Sequence, residues 1–266
     1  MNTSKLISEL NTHLNRSDLY TWAQPSTSWY FERVARTITD ACNSKPNKVL
    51  IVGITGYAGS GKDTGVELLQ DLGNVYHDWS VRTPNGYAES TPCKTTTGLL
   101  KSLRCSKIAF AQPLKQIAMA VGFTFEQCYD PKLKNEIDPF WGISPRQFLQ
   151  MCGTEMFRNV WRDDIWVELC RKKILDFRKE SDYPGILLIT DVRFPNERDM
   201  IKSEGGIVLR IKREGQDHFM NHASENQIDK LQVDRDILND AASPEAWSIK
   251  FLTELCKQLN STAFFN

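Results

Sequence analysis

Long apolar runs and amphipathic segments alternate along most of the chain. Residues 48–54 (KVLIVGI) are almost wholly apolar and rich in β-branched side chains, which is typical of a strand buried on both faces of a parallel sheet. Residues 185–191 (GILLITD) share this character, and strands are also predicted at 107–110 and 207–213. Strands separated by helical patterns predict an α/β fold with a parallel sheet covered by helices.

Apolar residues at helical spacing predict the connecting helices, over about residues 62–72, from 113, from 146, over 165–177, near 196–203 and from 243. The last of these begins with Ser243 as N-cap and Pro244 in the first turn. An earlier helix is predicted through Val34, Ile38 and Cys42.

Two largely polar regions indicate how the chain divides into domains. Residues 1–46 are largely polar, and we interpret them as an N-terminal helical appendage to a main domain over 47–266. Residues 74–106 have few apolar runs and indicate a polar insertion within that domain.

Composition narrows the classes of partner. The 266 residues include 33 basic and 33 acidic side chains, so an anionic ligand needs a locally basic site, and nucleic acid is not favoured. Seven cysteines, odd in number and never spaced as C-x-x-C, argue against a disulfide scaffold and a zinc site. The chain has no signal-peptide pattern and no run of about 18 apolar residues, so we expect a cytoplasmic protein.

A glycine-rich segment, GYAGSGKDT (residues 56–64), directly follows the first predicted strand. Gly56, Gly61 and Lys62 satisfy the first seven positions of the phosphate-binding pattern G-x-x-x-x-G-K-[ST]. Glycines allow backbone N–H groups to curl round an anion, the following helix adds its positive end, and the lysine reaches the outer phosphates. An ordinary tight turn is the alternative, but the strand–loop–helix context favours a nucleotide site.

The position after the lysine departs from the general pattern, because Asp63 stands where most such loops carry the Ser or Thr that holds Mg²⁺. Asp63 binds the ion directly or through water, or Thr64 takes over this role. The predicted nucleotide-binding residues are Gly56, Gly59, Ser60, Gly61, Lys62, Asp63 and Thr64.

Further polar clusters follow in the chain: AFAQPLK (109–115), SPRQFLQMCGTE (144–155), TDVRFPNE (190–197), NHASE (221–225) and DILNDAASPEAW (236–247). Together with GYAGSGKDT, and in this order, they resemble bacteriophage deoxynucleoside monophosphate kinases. The resemblance runs from about residue 48 to the C-terminus and leaves out residues 1–46 and the insertion.

The resemblance implies a three-layer P-loop kinase fold, similar to adenylate kinase, for residues 47–266. It implies transfer of the γ-phosphate of ATP to a deoxynucleoside monophosphate (dNMP), with Mg²⁺, to give the diphosphate. The expected partners are these small nucleotides, without a stable nucleic acid and without a membrane. Formation of a homodimer stays open, and a phage-encoded chain would act in the host cytoplasm.

Four residues are the predicted catalytic set: Lys62, Arg146, Asp191 and Arg193. Asp191 ends a buried strand, from which a carboxylate can order Mg²⁺, so Asp63, Thr64 and Asp191 are the predicted metal ligands. Arg193 follows two residues later and would bridge the donor and acceptor phosphates.

The predicted substrate-binding residues are Lys115, Arg146, Gly153, Thr154, Glu155, Trp166, Arg193 and Glu197. Lys115 and Arg146 would grip the acceptor phosphate, although a solvated lysine and a surface ion pair are the simpler alternatives. The resemblance places Gly153–Glu155 against the acceptor nucleotide. Trp166 would stack on the base or pack in the core, and Glu197 would accept from the substrate or favour its own helix N-terminus.

Some residues and functions stay open. The resemblance puts His222, Ser224 and Glu225 near the site, and Arg210, Lys212 and Arg213 flank ATP or are solvated. Another small-molecule kinase, for dephospho-coenzyme A or phosphomevalonate, is one rival. An ATP-binding switch or assembly module is another, and the basic residues Lys94, Lys101, Arg104 and Lys107 give it some support.

Overall fold

A computed structural model describes residues 27–74, 81–83, 86–88, 103–180, 182–214 and 227–260. The chain divides into two compact units. The larger unit comprises residues 1–107 and 178–266, and the smaller unit comprises residues 108–177.

The described strands are β1 (Val49–Thr55), β2 (Val81–Thr83), β3 (Gly86–Ala88), β4 (Arg104–Ile108), β5 (Gly185–Ile189), β6 (Ile207–Lys212) and β7 (Arg235–Leu238). Five of them form one sheet in the order β4-β5-β1-β6-β7, and β2 pairs antiparallel with β3. β1 runs parallel to both of its neighbours, with Val49 opposite Gly185 on β5 and Val52 opposite Ile207 on β6.

The described helices are α1 (Thr27–Asn43), α2 (Lys62–Asn74), α3 (Gln112–Ala120), α4 (Phe125–Tyr129), α5 (Pro145–Gln150), α6 (Ile165–Lys179), α7 (Pro195–Ser203) and α8 (Pro244–Leu259). A π-helix, Met151–Arg158, directly continues α5. Short 3-10 turns lie at Pro46–Lys48 and Leu133–Asn135. None of the helices described is both long and apolar enough to cross a membrane.

The core of the larger unit lies on both faces of the sheet. All seven residues of β1 are buried, as expected of a central strand in a parallel sheet. Leu50, Val52 and Ile54 share a cluster with residues of α1, α2 and α8. α7 packs against β1 and β6 on the opposite face. The α/β prediction, with a parallel sheet between two helical layers, is confirmed.

Helix α1 belongs to this core, although the sequence suggested an appendage. Tyr30, Val34, Ile38 and Cys42 are all buried within the cluster. The Tyr30 hydroxyl donates to the carbonyl of Ile249 at 3.0 Å. α1 therefore covers the sheet beside α8, and its apolar spacing reflects that packing.

One strand has different bounds in the structure from those predicted, and one further strand is present. We predicted a strand at 107–110, but β4 starts at Arg104 and ends at Ile108, so residues 104–106 belong to the sheet rather than to the insertion. β7 was not predicted, because only Ile237 of its four residues is buried. Edge strands of this kind carry little apolar signal.

The smaller unit is helical and has its own aromatic core. Phe123 packs on Phe148 with ring centroids 5.2 Å apart, and Leu114 and Ala118 of α3 are buried beside α5. The helices predicted from residues 113, 146 and 165 are confirmed as α3, α5 and α6. α4 was missed, since five residues are too few to show a helical period.

Candidate active site

The glycine-rich loop joins β1 to α2 and forms a tight curve. Gly56, Gly59 and Gly61 have φ angles of +142°, +78° and +95°, which favour glycine. A Cβ on Gly61 would also lie 2.5 Å from Nδ2 of Asn239 and 2.9 Å from Nε1 of Trp247. Both conformation and space therefore demand glycine at this position.

Lys62 folds back over the loop. Its Nζ donates to the carbonyl oxygens of Gly56 and Tyr57, both at 2.6 Å. The ammonium group is thus held beside the loop.

Donors from the C-terminal part of the chain hold the second half of the loop. Asn239 donates from Nδ2 to the carbonyl of Ser60, and Trp247 donates from Nε1 to the carbonyl of Gly61, each at 2.8 Å. Both residues lie within the polar cluster at 236–247, and no role was predicted for them. The only available signal was that buried Asn and Trp side chains need hydrogen-bond partners.

A third contact ties the first half of the loop to a later turn. The Tyr57 hydroxyl donates to Oδ2 of Asp229 at 2.6 Å. Arg210 holds this turn through Nη1, which lies 2.8 Å from the carbonyl oxygens of both Ile228 and Asp229. Arg210 therefore makes structural contacts in the larger unit.

A cleft of about 280 Å³ adjoins the loop. Its lining, all within the larger unit, is Gly59, Gly61, Lys62, Asp63, Thr64, Arg213, Asn239, Ala241, Ala242, Ser243, Pro244 and Trp247. Loop residues and the start of α8 thus share one concave surface, a usual form for a small-molecule site. Arg213 lies on this surface, as one sequence alternative allowed.

The candidate metal ligands offer oxygen donors, which suit Mg²⁺. Asp63 is largely exposed, with 75% of its side chain accessible, and it forms an ion pair with Lys107 of β4. Thr64 is half-buried in the first turn of α2. The Ser60 hydroxyl of the same loop is buried without a partner among the residues described, so the loop keeps polar capacity for a ligand.

The residues after β5 lie at the same edge of the sheet as the loop. The N–H of Val192 donates to the carbonyl of Ile54 at 3.2 Å, which joins the ends of β5 and β1. Asp191 and Arg193 flank Val192 on this edge. Ligands of open α/β sheets bind at the carboxyl ends of the strands.

Glu197 holds the turn that carries Arg193. The Glu197 side chain is buried, and its Oε2 accepts from the N–H groups of Arg193 at 2.8 Å and Phe194 at 3.1 Å. These contacts match the helix N-terminus alternative from the sequence. They also fix the backbone from which the Arg193 side chain extends.

In the smaller unit, the side chains of Lys115 and Arg146 each contact another side chain. Nζ of Lys115 lies 3.7 Å from the centroid of the Tyr129 ring. Nε of Arg146 donates to Oδ1 of Asn135 at 2.6 Å. Both side chains are half-buried.

Gly153, Thr154 and Glu155 lie within the π-helix that continues α5. A Cβ on Gly153 would lie 2.7 Å from Cδ2 of Leu114, so glycine permits close packing on α3. Trp166 is only 4% exposed and donates from Nε1 to the carbonyl of Gly153 at 3.0 Å. Trp166 therefore packs in the core, one of its two predicted roles, and supports the π-helix.

The predicted residues fall into two groups. The loop, Asp191, Arg193 and Glu197 belong to the larger unit, and Lys115, Arg146, Gly153–Glu155 and Trp166 belong to the smaller unit. His222, Ser224, Glu225, Lys94 and Lys101 lie outside the described residues.

The sheet and loop define the class of the protein. A parallel sheet whose central strand leads through a glycine-rich loop and a lysine into a helix is the architecture of P-loop α/β proteins that bind nucleoside triphosphates. This architecture alone leaves the acceptor undefined.

Comparisons with known proteins supply the family. Residues 94–246 match the family model for deoxynucleotide monophosphate kinase. The chain is 27% identical over 212 residues to a putative deoxynucleotide monophosphate kinase of Acanthamoeba polyphaga mimivirus, covering 75% of this chain and 93% of the relative. It is 29% identical over 184 residues to the deoxynucleoside-5'-monophosphate kinase of Escherichia phage T5, covering 58% of this chain and 72% of the relative.

The chain belongs to the deoxynucleotide monophosphate kinase family, and it is a phosphotransferase acting on deoxynucleoside monophosphates. The matched region contains the clusters at 109–115, 144–155 and 190–197, and it starts after the glycine-rich loop. The resemblance seen in the sequence is confirmed.

Proposed function

We propose that the protein transfers the γ-phosphoryl group of ATP, as its Mg²⁺ complex, directly to a 5'-phosphate oxygen of a dNMP. The products are ADP and a deoxynucleoside diphosphate. The position of Lys62, 2.6 Å from two carbonyls of a loop with three positive-φ glycines, carries this proposal. In-line transfer needs no covalent enzyme intermediate, so positioning and positive charge supply the catalysis.

The donor phosphates would bind in the loop. The N–H groups after Gly56 and the N-terminal end of α2 favour an anion, and Lys62 would move from the loop carbonyls to the outer phosphates. Asn239 and Trp247 occupy the carbonyls of Ser60 and Gly61, so those peptide oxygens are turned away from the anion. The adjoining cleft would hold the nucleoside part of ATP.

The oxygens of Asp63, Thr64 and Asp191 would hold Mg²⁺, which neutralises phosphate charge when bound. Asp63 would give up its ion pair with Lys107 if it ligates directly. Contact through water would leave that ion pair in place.

The acceptor phosphate would be bound by Lys115 and Arg146. A guanidinium can donate two parallel hydrogen bonds to a phosphate, and a lysine adds a point charge. Thr154 and Glu155 are the candidate contacts for the rest of the acceptor nucleotide, with Gly153 and Trp166 shaping the helix that carries them. Arg193 would stabilise charge on the transferred group, and Glu197 would hold its turn.

Substitution of the two transfer cations tests these roles. Lys62→Ala and Arg193→Ala should each lower kcat by about 10²-fold or more with the fold retained, because each removes charge stabilisation in the transition state. A coupled assay for ADP and thermal unfolding measure both effects. Lys172→Ala, an exposed lysine on α6, is the control and should keep wild-type turnover. Near-normal rates in both variants would refute the assignments.

A substrate panel tests the acceptor class. ATP consumption in stoichiometric proportion to added dAMP, dCMP, dGMP or dTMP is expected, with dephospho-coenzyme A and phosphomevalonate inactive. ATP turnover that no monophosphate changes would instead indicate a switch or assembly module.

A further inference from the structure

One short segment of the smaller unit, residues 129–135, contacts both cations that the proposed function assigns to the acceptor phosphate. We propose that Tyr129 and Asn135 are positioning residues, which orient Lys115 and Arg146 for the phosphate of the dNMP. This inference rests on the proposed function, because it concerns the same phosphate group.

Tyr129 limits where the Lys115 ammonium can go. Nζ lies 3.7 Å from the centroid of the Tyr129 ring, well within the range of a cation–π interaction. The ring is itself supported, since it stacks on Phe125 with centroids 4.3 Å apart and planes 20° from parallel. A free lysine side chain has many rotamers, so a fixed ring face reduces the entropy lost when a phosphate binds.

Asn135 fixes the plane of the Arg146 guanidinium. Its Oδ1 accepts from Nε of Arg146 at 2.6 Å, while its Nδ2 donates to the carbonyl of Pro131 at 2.7 Å and so sets the orientation of the amide. This bond uses only Nε. The two Nη groups of Arg146 have no partner among the residues that the structure describes, and they can donate to one phosphate as a pair.

The segment is held by its own hydrogen bonds. Oδ1 of Asp130 accepts from the N–H groups of Lys132 at 2.8 Å and Leu133 at 3.0 Å, and the N–H of Lys134 donates to the carbonyl of Asp130 at 3.0 Å. α4, which precedes it, begins with a reciprocal capping box between Thr124 and Gln127. Tyr129 and Asn135 therefore project from a defined backbone.

Lysine ammonium groups contribute positive charge to this region, beside the acidic residues Asp130 and Glu136. Burial raises the pKa of the Cys128 thiol, and the nearby ammonium groups of Lys115 and Lys134 act in the opposite direction. Both ammonium groups thus lie near Cys128. α3 and α5, which carry Lys115 and Arg146, pack against each other and both contact α4.

Steady-state kinetics with a dNMP and with ATP test the inference. Tyr129→Leu and Asn135→Ala should each raise KM for the dNMP about threefold to tenfold, because the cations lose their preset orientation. KM for ATP should stay within about twofold of the wild type, since the donor site belongs to the larger unit. Tyr129→Phe keeps an aromatic face and should restore the wild-type KM for the dNMP.

Two exposed residues of the same unit provide matched controls. Phe140→Leu and Asn159→Ala remove an aromatic ring and an amide outside the segment, and both should leave either KM unchanged. Equal rises of KM for ATP and the dNMP, or an unchanged KM for the dNMP in stable Tyr129→Leu and Asn135→Ala proteins, would overturn the positioning role.

Arg146→Ala separates this inference from the function on which it rests. A large rise of KM for the dNMP in Arg146→Ala, without a rise in the two positioning variants, would refute the inference alone. An unchanged KM for the dNMP in Arg146→Ala would refute the assignment of the acceptor phosphate to this residue.

Discussion

At the scale of single residues, the loop depends on side chains that are distant in sequence. When its backbone turns N–H groups towards an anion, its buried carbonyl groups need hydrogen-bond donors of their own. Asn239 and Trp247 provide these donors to Ser60 and Gly61. Gly61 has a positive φ, and its lack of a side chain leaves the space that these two side chains occupy. The glycine and its two neighbours therefore depend on one another.

Replacing Trp247 by Phe tests this dependence. The ring would stay apolar, but the carbonyl of Gly61 would lose its donor. We expect the free energy of unfolding to fall by about 1–3 kcal/mol, as for a buried polar group left without a partner. KM for ATP should rise while KM for the dNMP is unchanged.

Urea unfolding and initial rates measure these two effects. Trp161→Phe is the control, because Trp161 is 66% exposed and lies in the smaller unit. An unchanged KM for ATP in Trp247→Phe would contradict the role of Trp247 in shaping the loop.

At the scale of elements, polar side chains add to the backbone pairing that holds the edge strand β7. Arg235 pairs with Glu254 of α8, and Asp236 accepts from Arg210 at 2.7 Å and from Lys212 at 2.9 Å. The N–H of Asn239, just after the strand, donates to the carbonyl of Lys212 at 2.7 Å. These contacts place Asn239 beside the loop.

The ion pair that joins β7 to α8 should stabilise the folded protein to an extent that depends on pH. Burial raises the pKa of Glu254, but Lys257 and Arg235 outweigh it and hold the pKa below its ordinary value of 4.5. Since the folded pKa is depressed, this stabilisation is complete above about pH 4.5 and is lost as the pH falls through the folded value.

Glu254→Gln should therefore be less stable than the wild type near neutral pH, and the difference should shrink in acid. Thermal unfolding of both proteins at several pH values, from about pH 7 to about pH 3.5, measures this difference in stability. A difference in melting temperature that is constant over this range would contradict the assignment to Glu254.

The π-helix is the second notable element. It continues α5 through the Gly-Thr-Glu stretch, and π-helical turns are often found at functional sites. Its buried side rests on Leu114 and Trp166, whereas Glu155 is exposed. Glu155 is therefore accessible to solvent rather than packed in the core.

At the scale of the whole molecule, the residues proposed to bind the donor nucleotide and those proposed to bind the acceptor phosphate belong to different units. The donor groups belong to the larger unit, and Lys115 and Arg146 belong to the smaller unit. Each nucleotide should therefore bind on its own and stabilise the folded protein by mass action, by about 2.7 kcal/mol at a hundredfold excess over Kd.

Thermal-shift measurements with one nucleotide at a time test this division. Arg146→Ala should lose the rise in melting temperature caused by the dNMP and keep the rise caused by ATP. Lys62→Ala should show the opposite pattern. If one substitution abolished both shifts while the protein stayed folded, the assignment of donor and acceptor to separate units would be wrong.

The sequence by itself determined the parts whose signal is contiguous. The central strand β1, the loop from Gly56 to Lys62 and the start of α8 at Ser243 were predicted correctly. A strand buried in a parallel sheet shows an apolar run, and a phosphate loop needs its residues in one stretch. The ordered clusters at 109–115, 144–155 and 190–197 similarly indicated the family.

Only the tertiary structure decided the parts that depend on distant contacts. Helix α1 proved to be core, Trp166 to be a support of the π-helix, and Glu197 to hold the Arg193 turn. The hydrogen bonds of Asn239 and Trp247 span about 180 residues, as 179 and 186 positions separate the partners. A hydrogen bond specifies a distance in space rather than a spacing in sequence, so no local pattern could have assigned these roles.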